Sequence, residues 1–196
     1  HIIGFADFMG EKFIVNPSVL IPRDETEILV RKAIEIINQN NLKMALDVGT
    51  GSGCIACMVA KFTDSQIIGL DISSDALNTA LDNASKLNLF NKAIFRKSNI
   101  FSNVKPGETF DIIVSNPPYI REEVIETLMD DVKNYEPHIA LNGGVDGLDF
   151  YRKIINDSKC VLRKNGILAF EIGFDQGEDV KLLMQNGGYK DIRVIN

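Results

Sequence analysis

The 196-residue chain is predicted to be one α/β unit: a mostly parallel twisted sheet with helices on both faces, preceded by a short β-hairpin. Short apolar runs alternate along it with segments of helical period. Those runs are continuous rather than alternating in polarity, as strands covered on both faces require. A glycine-rich turn, Gly49-Thr50-Gly51-Ser52-Gly53, also joins one run to the helix that follows. Repeated strand-helix order implies parallel strands linked by crossover helices.

Taken in order, Ile2–Phe8 and Lys12–Asn16 flank Met9-Gly10-Glu11 and predict a hairpin leading into the Val19–Pro22 loop. Thr26–Ile37 has helical period, with Asp24 and Glu27 spaced as a capping box. The apolar runs are Met44–Val48, Gln66–Ile72, Ala93–Arg96, Phe110–Ser115 and Gly166–Ile172. Between them, Ala76, Leu77, Ala80, Leu81, Ala84 and Leu87 share one face of a helix that Ser73, Ser74 or Asp75 can cap. Phe150–Leu162 and Glu178–Gln185 complete the helices. Gly187-Gly188 stops the last one, and Tyr189–Ile195 reads as a final strand. The division expected is residues 1–22 as hairpin and loop, and residues 23–196 as one compact domain.

Composition narrows the class. The chain is 45% hydrophobic and 24% charged, the usual mix for a globular domain with a core. No apolar run approaches the ~20 residues that span a bilayer, and no signal peptide opens the chain, so a cytoplasmic, monomeric protein is expected. The first residue is His1 rather than Met, which points to a piece of a longer protein. The net charge of −6 and the scattered Lys and Arg give no basic stripe for a long nucleic acid. Three cysteines suit reduced thiols. Cys54 and Cys57 form a C-x-x-C, but His138 alone cannot complete a zinc site with them, so no metal is expected and both read as small apolar residues of a buried helix.

The run Asp47-Val48-Gly49-Thr50-Gly51-Ser52-Gly53 leaves a strand and enters a helix. Glycines there let backbone approach a ligand closely. A P-loop would end in Gly-Lys-Ser/Thr, and Cys54-Ile55 follow instead. A dinucleotide fold needs G-x-G-x-x-G, and the spacing is G-x-G-x-G. This form with its leading acid resembles motif I of class I (Rossmann-like) S-adenosylmethionine-dependent methyltransferases. The resemblance implies S-adenosyl-L-methionine as cofactor, bound by Asp47, Gly49, Thr50, Gly51, Ser52 and Gly53. Asp71, at the end of the next strand, can accept from both ribose hydroxyls, or can serve as a helix N-terminal charge. Asn99 and Ile100 stand where relatives contact adenine; Ile100 and Phe101 are equally readable as core.

Asn116-Pro117-Pro118-Tyr119 follows the fourth run, and ligands of open α/β sheets bind beyond the C-terminal strand ends. A planar NH2 group is a poor nucleophile because its lone pair is delocalised. Two acceptors on its hydrogens, the Asn116 side-chain oxygen and the Pro117 carbonyl, bias it toward a lone-pair-forward geometry. Proline fixes the turn and adds no competing N–H. Tyr119 offers a ring face to a flat acceptor. Asn116, Pro117 and Tyr119 are therefore the catalytic candidates, Pro118 completes the substrate loop, and Asn116 also borders the cofactor.

The tetrad alone does not separate glutamine amides from adenine N6, which is the alternative acceptor. Its flanks do. Phe13-Ile14-Val15-Asn16-Pro17-Ser18-Val19-Leu20-Ile21-Pro22-Arg23-Asp24-Glu25-Thr26-Glu27 resembles the segment ahead of the core in the HemK/PrmC family of release-factor glutamine N5-methyltransferases. Tyr135-Glu136-Pro137, Ala140-Leu141, Gly143-Gly144, Asp146-Gly147-Leu148, Tyr151-Arg152, Glu171-Ile172-Gly173 and Gln176-Gly177 are similar to that family's later segments. The resemblance implies that the acceptor is the glutamine of the Gly-Gly-Gln motif of peptide-chain release factors. Arg23 and Glu27 are then substrate-side candidates, or a surface ion pair. Asp24 departs from the family's second proline, and Asn99 from its usual Asp. The family also carries an N-terminal helical domain and a final hairpin that this sequence does not include. His138 reads as a loop residue rather than a base.

Overall fold

A computed structural model describes residues 4–127 and 136–195. Strands β1 (Phe5–Phe8) and β2 (Glu11–Ile14) form the antiparallel hairpin. Met9 and Gly10, both at positive φ, make its turn. The order then runs α1 (Asp24–Asn40), β3 (Met44–Val48), α2 (Cys54–Phe62), β4 (Gln66–Asp71), α3 (Ser74–Lys86), β5 (Ala93–Lys97), β6 (Phe110–Ser115), α4 (Glu122–Ile125), α5 (Asp149–Asp157), β7 (Leu162–Phe170) and α6 (Gly177–Asn186). Five parallel strands form one sheet in the order β5-β4-β3-β6-β7. The chain winds outward from β3 in both directions, so the switch point lies between β3 and β6.

Two apolar layers cover the sheet. One packs α1 and α2 with the hairpin's Phe8 and Phe13. The other packs α5 and α6 against Leu46, Ile113 and Leu168. Helix α2 is buried from Cys54 to Ala60, and burial pushes the Cys54 thiol up to about 12 and the Cys57 thiol higher still. These are packing thiols, as expected. Among the described residues no cluster of His, Cys, Asp or Glu could hold a metal, and no helix is long and apolar enough to cross a membrane.

Several expectations need correction. Tyr189–Ile195 forms no strand: a strand exists only as half of a ladder, and no partner lies alongside among the described residues. Tyr189 instead shares a hydrogen bond with Ser158 at 2.6 Å. The helix read as Phe150–Leu162 stops at Asp157, a 3-10 turn follows, and β7 begins at Leu162. Polar Arg163-Lys164-Asn165 hid that start because they occupy a register shift against β6. The capping box does not form either. Arg23 is the N-cap, and Glu27 turns back to accept from the Met9 amide at 2.6 Å, tying α1 to the hairpin. Ser73 caps α3 as read, accepting from the Ala76 amide. Ile2 and Tyr135 lie outside the described residues.

Candidate active site

Beyond the C-terminal ends of β3 and β6 lies a cavity of about 240 Å³. It is lined by the Gly49–Ser52 loop, Asp71, Asn99, Ile100, Asn116, Pro117 and Pro118. The switch point itself is stitched by the Ser115 hydroxyl, which donates to the Val48 carbonyl at 2.6 Å. The two loops singled out from the sequence are thus the two walls of one pocket.

The glycine loop is held from β4. The Gly49 and Thr50 amides both donate to the Leu70 carbonyl, at 2.8 and 2.9 Å. Gly49, Gly51 and Gly53 all sit at positive φ, which only glycine adopts cheaply. A Cβ on Gly49 or Gly51 meets nothing within 4 Å, so these positions leave open space above the loop. At Gly53 a Cβ would stand 2.9 Å from the Ala80 Cβ, so that glycine serves close packing of α3 and not the cavity, which it does not line.

Asp47 is fully buried. One carboxyl oxygen accepts from the Thr50 hydroxyl at 2.6 Å; the other has no hydrogen-bond partner among the described residues. Burial is the main reason its pKa rises to about 7, helped by the charge of Asp71 and opposed by Thr50. Asp71 holds the loop's shape, accepting from the Gly51 and Ser73 amides at 2.9 Å each. Asp71 thus braces the entry to α3, and it also lines the cavity. After β5, the Ser98 hydroxyl donates to the Ile100 carbonyl at 2.7 Å and accepts from the Asn103 amide. Ile100 stands at φ 53, a left-handed conformation costly for a β-branched residue. It lines the cavity and also packs, with Phe101, on the second apolar layer.

In the tetrad, Asn116 donates through Nδ2 to the Thr26 hydroxyl at 3.2 Å. Pro117 is buried, and Tyr119 is drawn away from the cavity. Its ring packs in the second layer and its hydroxyl lies 3.5 Å from Glu171 Oε1. Burial, then the Glu171 charge, pushes the Tyr119 hydroxyl up to about 12, so it stays neutral. The segments after the tetrad clamp this end of the loop. Gln176 donates to the Tyr119 carbonyl at 3.0 Å, the Gly143 amide to Ile120, and Gly143 and Gly147 press on the Tyr119 backbone with no room for a Cβ.

Arg23 and Glu27 do not line the cavity. Arg23 pairs with the buried Glu136 at 2.6 Å, pinning the Ile21–Arg23 loop to the Pro137 side of the pocket. Burial nevertheless raises the Glu136 carboxyl above its ordinary range, with Arg23 opposing. Arg23→Ala strands that carboxylate. Because the guanidinium is 39% exposed, the expected loss of stability in urea unfolding is only about 1–3 kcal/mol, with partial recovery in Arg23→Lys. His138 is exposed and outside the lining. Sequence reasoning missed Thr26, Phe150 and Lys153 in the lining, and Glu171 behind it. Thr26 and Glu171 stand inside motifs quoted above, but nothing in their spacing marked them.

Residues 24–134 match the model of the methyltransferase small domain family. A methyltransferase from Pyrococcus furiosus superposes with a TM-score of 0.64 at 22% identity, covering 95% of this chain and 84% of that one. The fold is therefore the class I methyltransferase fold. The release factor glutamine methyltransferase of Clostridium acetobutylicum is 48% identical over 98% of this chain and 68% of its own length. Its namesake from Clostridium botulinum is 46% identical over 100% of this chain and 70% of its own length. A pocket of this design inside identity of that extent leaves one assignment: the chain belongs to the release factor glutamine methyltransferase family.

Proposed function

We propose that this chain transfers a methyl group from S-adenosyl-L-methionine to the side-chain amide nitrogen of the glutamine in the Gly-Gly-Gln motif of peptide-chain release factors. The observation that carries the reading is Asn116 on the wall facing the glycine loop, its Nδ2 committed to Thr26 and its Oδ1 left to accept from a substrate N–H.

The residues fit the cofactor. The unpartnered Asp47 oxygen is a buried acceptor beside a backbone cradle that admits no Cβ without strain. Gly49, Thr50, Gly51 and Ser52, which line the cavity, would hold the methionyl and ribose end, with Asp47 buried behind them and outside the lining, Asp71 the ribose hydroxyls, and Asn99 and Ile100 the adenine. Phe150 and Lys153 of α5 line the same cavity. When bound, the cofactor supplies an electrophilic methyl on sulfur.

The chain's own residues do the rest. Asn116 Oδ1 and the Pro117 carbonyl accept the two amide hydrogens and turn the nitrogen lone pair forward. The same oxygens stabilise the positive charge that builds on nitrogen. Pro117 and Pro118 keep those acceptors from drifting, which matters because alignment is the larger part of the rate. No strong base is needed, since the nitrogen becomes acidic only after transfer. Ser18, Val19, Leu20 and Pro22, on the loop braced by Arg23–Glu136, line the same cavity. Arg23 acts there as a brace, and Glu27 as a tie to the hairpin.

An adenine-N6 acceptor is not favoured, because the acidic chain offers no basic stripe in its sequence. Labelled methyl should pass from the cofactor to an unmethylated release factor and not to an adenine-containing oligonucleotide. The opposite ranking would overturn the reading.

A further inference from the structure

The Asn116 amide is almost symmetric in shape, so packing cannot tell Oδ1 from Nδ2. Turned over, it would aim N–H groups at the N–H groups of its substrate. Something must hold it the right way round. Behind the tetrad the structure supplies a candidate. Glu171 follows β7, and its amide donates at 3.0 Å to the carbonyl of Ser115, the residue before Asn116. Its carboxyl is thereby delivered behind the reaction loop. Burial, helped by the charge of Glu25, raises this carboxyl above its ordinary range, and the Thr26, Tyr119 and Asn116 side chains beside it oppose that rise. The Tyr119 hydroxyl lies 3.5 Å from Glu171 Oε1, and the buried Oε2 has no hydrogen-bond partner among the described residues.

We infer that Glu171 and Thr26 are positioning residues that fix the orientation of the Asn116 amide, and so decide that an acceptor faces the substrate. A carboxylate only accepts. Its charge orients the Thr26 hydroxyl hydrogen toward it, which leaves the Thr26 oxygen to receive Nδ2 of Asn116, the one hydrogen bond among these three side chains that the structure shows directly, at 3.2 Å. With both its near neighbours acting as acceptors, Nδ2 must point inward and Oδ1 outward. Neither Glu171 nor Thr26 needs to touch the reacting atoms. The inference rests on the proposed acceptor only for its kinetic readout.

Three variants at mildly alkaline pH test it. Thr26→Val keeps the shape and loses the hydroxyl. Thr26→Ser restores it. Glu171→Gln keeps the shape but brings an NH2 that can donate to either neighbour. Thr26→Val and Glu171→Gln are expected to lower kcat about tenfold while KM for the release factor stays within about twofold, and Thr26→Ser is expected to recover most of the loss. The Asn116 side-chain NH2 signals, followed by NMR without any substrate, should be shifted and slow to exchange in the wild type and in Thr26→Ser. They should lose that protection in the other two. Unchanged NH2 signals in Thr26→Val and Glu171→Gln would overturn the inference whatever the substrate. A wild type that does not methylate the release factor, with those signals behaving as described, would overturn the proposed acceptor and leave the positioning intact.

Discussion

Asn116→Ala is expected to cut methyl transfer by about a hundred- to a thousandfold while the protein still folds and still binds cofactor. The side chain contributes a single described hydrogen bond to the fold, Nδ2 to Thr26 at 3.2 Å, so its loss costs only about 1 kcal/mol. The acceptor it presents has no substitute, because Pro117 offers only its carbonyl and Tyr119 points to Glu171. Calorimetry for cofactor and single-turnover kinetics for transfer separate the two effects. Asn116→Gln sharpens the test. It keeps the chemistry and moves it by one methylene, and alignment predicts that it fails almost as badly. Full activity in either variant would mean that the tetrad is a turn and nothing more.

Asp47→Asn should separate stability from function in the opposite sense. Asp47 is fully buried with one oxygen unpartnered, and burial holds its pKa at about 7. The folded state therefore binds this proton more tightly than the unfolded chain, whose Asp titrates near 4. Stability from this group is present in full below about pH 4 and is lost as pH rises toward about 7. An amide at this position does not titrate, so the variant lacks that slope. The free protein should gain about 1–2 kcal/mol at pH 8, the relief of a buried charge exceeding the cost of an unpartnered amide. Cofactor affinity should fall about ten- to a hundredfold, since a charged acceptor has gone. Thermal melts across pH 4 to 8, with and without cofactor, check both halves. A parallel pH slope in wild type and variant would show that Asp47 is not the buried charge described here. A site residue that destabilises the empty protein is the familiar cost of a preformed pocket.

Much of the molecule was legible from residue order. Met44–Val48 and Phe110–Ser115 appear as strands over the residues expected, since a strand buried on both faces leaves a continuous apolar run. The glycine loop and Asn116 to Pro118 stand out by their spacing, and they line one cavity. What escaped has common physical causes. Tyr189–Ile195 has strand-like residues, but a strand needs a partner that composition cannot reveal. Glu27 fitted a local capping box and was taken instead by Met9, 18 residues away. Tyr119 looked like a stacking ring beside the substrate until its packing under the sheet's second layer was seen. Thr26 and Glu171 are 145 positions apart by their numbers, and only the parallel pairing of β6 with β7 brings the latter behind Asn116. The family segments after the tetrad turned out to brace it: Gly143, Gly147 and Gln176 hold Tyr119 from behind.

The most direct measurement is peptide mass mapping of a release factor after incubation with the chain and S-adenosyl-L-methionine. The expected result is one added methyl group on the glutamine side-chain amide of Gly-Gly-Gln, absent when Asn116→Ala replaces the wild type. A methyl group found on any other residue, or an unmodified glutamine despite measured cofactor binding, would contradict the account.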